Sequence, residues 1–333
     1  MRAPPEPNQH TTLLAPPPLG DDQGDGSLAA PVATMQRALD LGRPTLLFAA
    51  GTYECVPYLR GQHQLFGGLD PAQGWRRGEE KTRLVSELGT GMLELLPGAD
   101  VRLDGLSLEP SQLCYLALFV SDGARVQLNG CVVTGARAGA ISTRGIAEIQ
   151  GCVVDGRPRP DSGVLCAFGD TTIVDCHIFA TRIAVNCTQV HLERCRVVAG
   201  TYPVYVQGDD AVILNNELVL QPPTRNARGV FVMGGERLRV EGNTINGRPD
   251  REVLDRWAAL PRRRWRYNED SSYDWEELVL TPNGVCYEGR QMREEYTGPT
   301  QDYDDFLHQD PIKPLPPELL AEVRDYLRAY GPV

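Results

Sequence analysis

Hydrophobic and polar residues alternate in short runs that recur along most of this chain. The phrase V126QLNGCVVTG135 returns as A147EIQGCVVDG156, T171TIVDCHIFA180 and V190HLERCRVVA199. Within such phrases Val101/Leu103, Val126/Leu128, Thr171/Ile173, Val190/Leu192 and Leu238/Val240 take alternate positions, with Arg102, Gln127, Thr172, His191 and Arg239 between them. A period of two predicts half-buried strands, not helices.

Aligned on the residue after the central bend, the phrases give the column Leu106, Cys131, Cys152, Cys176, Cys195, Asn216 and Asn243, with spacings of 25, 21, 24, 19, 21 and 27 residues. A strict solenoid would repeat at one spacing, so fixed strands with loops of variable length are expected. The preceding residues are Gly105, Gly130, Gly151, Asp175, Arg194, Asn215 and Gly242. Six of these seven are residue types that reach positive φ at low cost, which predicts a tight bend between two strands. A third strand ends each repeat, in G139AISTRG145, G163VLCAFG169, P203VYVQGDD210, G229VFVMGG235 and N283GVCYEG289. One such coil cannot bury its apolar face alone, so coils are expected to stack at about 4.8 Å each.

Three short strands per turn, with like residues above like, resembles the right-handed parallel β-helix of the pectin-lyase-like superfamily over residues 45–290. The resemblance implies an all-β fold and an internal ladder of asparagines at the bend. Asn216 and Asn243 match that ladder, and Cys131, Cys152, Cys176 and Cys195 replace it in earlier coils. S27LAAPVATMQRALDLGRPTLLFAAGTY53 resembles the entry segment of bacterial β-helix proteins, which implies a cap over residues 27–44. Its short helix would lie between Pro31 and Gly42, with Met35, Leu39 and Leu41 covering the open core. Residues 1–26 read as a flexible leader, 248–282 as an inserted loop, and 291–333 as a tail. The tail carries a capping helix in P316ELLAEVRDYLRAYG331, where apolar residues fall at helical spacing.

Composition narrows the functional classes. The chain has 333 residues, is 41% hydrophobic and carries a formal charge of -11, which disfavours a phosphate backbone or an anionic membrane as partner. No apolar run is long enough for a membrane helix. Nine cysteines without a CxxC pair point to reduced thiols in a cytoplasmic setting, with no cofactor and no metal.

In the resembling family, enzymes act on the outer face of the third strand type described above, the first strand of each coil in that family's order. Phe119, Ile141, Leu165, Ala184, Tyr205, Phe231 and Cys286 are predicted to point outward there, flanked by Ser121, Thr143, Ala167, Asn186, Gln207, Met233 and Glu288. Glu288 is the one carboxylate in this set, whereas glycoside hydrolysis generally uses two. Asp209 and Asp210 align with turns, and Arg266 lies in the inserted loop; with Glu288 these are the weak catalytic candidates. The expected binding face is instead an apolar stripe of Phe119, Ile141, Leu165, Tyr205, Phe231 and Met233, joined by Trp257 and Trp265 of the insertion. The sequence therefore predicts a non-catalytic scaffold that binds a protein partner or a second copy of itself. A polysaccharide-binding or polysaccharide-cleaving protein is the alternative, followed by a trimeric fibre.

Overall fold

The computed structural model describes residues 3–86, 91–111, 113–157, 164–221, 230–232 and 237–249, together with the strands Arg266–Tyr267, Tyr273–Asp274, Glu277–Thr281 and Gly284–Glu288. It is an all-β, solenoid-like stack built on two long, largely parallel sheets. The smaller sheet is one ladder, running from Gly51–Glu54 through Thr82–Ser86, Leu106–Pro110, Val132–Thr134 and their successors to Thr244–Ile245. The larger sheet contains two ladders. One, called here the front ladder, runs from Tyr58–Leu59 through Gly91–Leu95, Leu116–Val120, Gly139–Thr143 and Leu165–Ala167 to Val230–Val232. The other, the side ladder, runs from Thr11–Leu14 through Thr45–Ala49, Gln62–Asp70 and Asp100–Asp104 to Arg237–Glu241. The two are joined where Ile183–Glu193 and Tyr202–Leu214 pass from front to side as continuous strands.

The core lies between the ladders. Leu65, Leu103, Leu128, Ile149, Ile173, Leu192 and Ile213 stack from the side ladder, and Leu84, Leu108, Val133, Val154, Ile178, Val197 and Leu218 from the smaller sheet. Each is buried, which contributes about 1.5–3 kcal/mol per large apolar side chain. Every one of the seven predicted bend residues has positive φ, from 51° at Arg194 to 68° at Gly242.

The N-terminal end departs from expectation. Residues 11–14, placed in a flexible leader by their polar and proline-rich surroundings, form a fully buried strand paired with Thr45–Ala49. The outer edge of that strand is hydrogen-bonded in turn, since Leu13 N–H donates to Gly26 C=O at 2.9 Å and Val32 N–H donates to Leu13 C=O at 3.0 Å. Such cover protects a sheet edge from pairing with another chain. The short helix is present as Met35–Asp40, capped by Thr34, with Met35 and Ala38 buried. Asp22 pins its entry by accepting from Ala33 N–H, Thr34 N–H and the Thr34 hydroxyl. The C-terminal helix expected over 316–331 lies outside the described residues.

The inserted segment also differs from the expected continuation. Gly284–Glu288 pairs antiparallel with Glu277–Thr281, placing Glu288 opposite Glu277. Val285, Cys286 and Glu288 therefore do not continue the front ladder in the described pairing. Arg266–Tyr267 forms a separate antiparallel pair with Tyr273–Asp274.

Candidate binding face

The outward row of the front ladder follows from its register. Leu118 pairs with Ile141, Ile141 with Leu165, Leu165 with Val185, and Val185 with Val204. Ile141, Leu165, Thr143 and Ala167 are each 0% exposed and belong to the interior. The predicted stripe is therefore wrong in two coils. In the observed pairing Ser142 and Cys166, not Ile141 and Leu165, stand in register with Phe119 and Tyr205, and a one-residue slip exchanges the two faces. Phe119, Asn186 and Tyr205 keep their predicted outward register, Phe231 pairs with Tyr205, and Ser142 and Cys166 replace Ile141 and Leu165. Met233, Trp257 and Trp265 lie outside the described residues.

The corrected row reads Tyr58, Glu94, Phe119, Ser142, Cys166, Asn186, Tyr205 and Phe231. Tyr58 is 54% exposed. Glu94 accepts from the Ser121 hydroxyl at 3.4 Å. The Arg144 guanidinium lies 5.8 Å from the centre of the Phe119 ring, within cation–π range. Asn186 Oδ1 is buried without a hydrogen-bond partner, and the Tyr202 and Tyr205 rings pack at 5.5 Å. The row is thus aromatic and polar, not an apolar stripe. Glu94 and Tyr58 precede the coils that the repeated phrase reveals, and the alternation in G91MLEL95 extends the row by one coil to Glu94; Arg144 follows the strand Gly139–Thr143, outside the alternation.

Little in this row favours bond-breaking chemistry. Glu94 is its one carboxylate, and paired acids are the usual apparatus of glycosidases. Burial raises the Cys166 thiol above its ordinary range, which works against a reactive thiolate at neutral pH. Asp209 and Asp210 lie within the continuous strand Tyr202–Leu214, not in the predicted turn, with Asp210 between Gln189 and Arg237 in the side ladder. Glu288 and Arg266 lie in their own antiparallel pairs.

The bend column is internal. Cys152 N–H donates to Cys176 Sγ and Cys176 N–H to Cys195 Sγ, both at 3.4 Å. Cys195 N–H donates to Asn216 Oδ1 at 2.8 Å, and Asn216 N–H to Asn243 Oδ1 at 2.9 Å. Thiols and amides therefore share one role, accepting the bend N–H of the preceding coil. His177 is exposed beside buried Cys176, and His191 bonds Glu193 at 3.0 Å. Among the described residues no group of three His, Cys, Asp or Glu side chains is arranged to hold a metal ion, and no helix is long and apolar enough to cross a membrane. No protein-family model, curated protein or solved structure matches this chain.

Proposed function

We propose that this chain is a right-handed parallel β-helix of the pectin-lyase-like kind, and that it works as a non-catalytic scaffold binding a glycan along the front ladder. The observation that carries the reading is the chemistry of the outward row from Glu94 to Tyr205. Phe119 and Asn186 are half-buried and Ser142 and Tyr205 are 9% exposed, so the row offers one ring and one amide with the margins of a hydroxyl and a second ring between and beyond them. At about 4.8 Å per coil these rings stand roughly 19 Å apart, a span suited to an extended oligosaccharide. A sugar chain offers apolar ring faces and hydroxyls in alternation, which such a row complements. Binding a protein partner or a second copy was the expectation from an apolar stripe, and that expectation loses force with Ile141 and Leu165 in the core.

Affinity electrophoresis against a panel of neutral and acidic polysaccharides tests the reading. Wild type is expected to be retarded by at least one glycan, and Phe119→Ala and Asn186→Leu to run faster in it with unchanged melting. Shortening of the retained glycan by wild type but not by Glu94→Gln would make the protein an enzyme. Absence of retardation by every glycan, with a stable trimer by sedimentation, would favour the fibre reading.

A further inference from the structure

At the N-terminal end of that row, the stack holds a groove of about 600 Å³ lined by Leu39, Tyr58, Leu59, Arg60, His63 and Leu96. It exists because the first coil is incomplete. The front ladder starts at Tyr58–Leu59, paired with Glu94 and Leu95. In the side ladder His63 stands in register with inward-facing Val101, whereas pairing with the preceding strand begins at Gln64. The helix Met35–Asp40 leaves Leu39 only partly buried against this end of the core.

The walls have a definite chemistry. Leu39, Leu59 and Leu96 are apolar, and Tyr58 adds an exposed ring. Arg60 is the one side chain of permanent charge in the lining, and it is exposed and makes no ion pair among the described residues. His63 Nε2 lies 2.8 Å from Arg60 C=O; a carbonyl only accepts, so Nε2 carries a hydrogen there. His63 Nδ1 is buried and has no partner. A mostly apolar concavity of several hundred Å³ with a few polar groups has the usual make-up of a small-molecule site.

We propose that this groove binds a small amphipathic anion, with its apolar body against Leu39, Leu59 and Leu96 and its negative head at Arg60. An exposed cation without an ion pair beside an apolar wall selects an anion over a neutral molecule of the same shape, against the chain's formal charge of -11. The site shares Tyr58 with the outward row, whereas the glycan reading rests on residues from Glu94 onward.

Fluorescence titration with anilinonaphthalene sulfonate, an aromatic anion, and phenylnaphthylamine, its uncharged counterpart, tests the proposal on the full-length protein. Wild type is expected to take up the sulfonate at one saturable site and to prefer it by about 2–5-fold, the discrimination of one exposed ion pair. Decanoate is expected to displace it. Arg60→Glu, an exposed position, should erase the preference, and Leu96→Trp should weaken both dyes by filling the groove, with melting curves confirming that each variant is folded. No saturable uptake by wild type, or an unchanged preference in folded Arg60→Glu, overturns the proposal.

Discussion

At the scale of single residues, the bend column is the clearest case of sequence and geometry agreeing. The residue types before it predict positive φ at six positions, and the structure shows it at all seven. Arg194 is the exception by type: its φ of 51° carries a steric cost, and its guanidinium bonds Asp175 at 2.8 Å. Within the column, replacing Cys176 distinguishes packing from hydrogen bonding. Cys176→Val keeps the apolar volume and removes the acceptor for Cys152 N–H, so a loss of about 1–3 kcal/mol is expected in denaturant unfolding. Cys176→Asn restores an acceptor as at Asn216 and is expected to recover most of that loss. A valine variant as stable as wild type would show that the thiol only fills space. Two bend glycines give a second contrast. A side chain at Gly151 meets nothing within 4 Å, whereas one at Gly105 would collide with the Arg77 guanidinium. Arg77 is held there by a salt bridge to Asp104, whose side chain is 0% exposed. Gly151→Asn is therefore expected to cost under about 1 kcal/mol, and Gly105→Asn several times more, because it disrupts a buried ion pair. Equal melting temperatures for the two variants would contradict this. That difference was invisible in the sequence, where both positions read simply as glycine before the column.

At the scale of elements, alternation identified the strands and failed to register two of them. Gly139–Thr143 and Leu165–Ala167 were aligned from their leading glycines, and the loops ahead of them vary in length. Their neighbours in the stack, not their own residues, decide which face is inside. The N-terminal strand Thr11–Leu14 shows the opposite limit. Four residues among prolines and polar groups carry too little periodicity to be recognised, and only the vacant edge of Thr45–Ala49 gives them a place. Deleting residues 1–15 is accordingly expected to do more than trim a leader. It would bare an edge beside Leu47 and Phe48 and uncover Leu47, Ala49, Phe66, Leu69 and Trp75, which form a small cluster with Leu13 and Ala15. Size-exclusion chromatography should show association or aggregation, and a truncated protein that stays monomeric with wild-type melting would restore the flexible-leader reading.

At the scale of the whole molecule, the continuous interior makes stability depend on pH in a definite direction. Burial pushes the Cys55 and Cys187 thiols from about 9 up to about 12 and raises the Tyr53 hydroxyl. Their folded-state values lie above their unfolded ones, so the contribution is complete below about pH 9 and is lost as pH rises toward 12. The unfolded chain then binds fewer protons than the folded one, and stability falls by up to about 1.4 kcal/mol per pH unit for each group. Urea unfolding at pH 8 and pH 10 is expected to show this decline, and Cys187→Val to lessen it; a flat profile across that range would mean that these thiols are not secluded. The sequence by itself determined the all-β class, the stacking of variable-length coils and the internal column of thiols and amides, because side-chain period and backbone preference are local properties of each repeat. Tertiary structure alone decided the faces of the strands at 139–143 and 165–167, the role of residues 11–14 and the groove at the N-terminal end. Each of these depends on which strand lies above which, and pairing between residues far apart in the chain leaves no mark on local alternation.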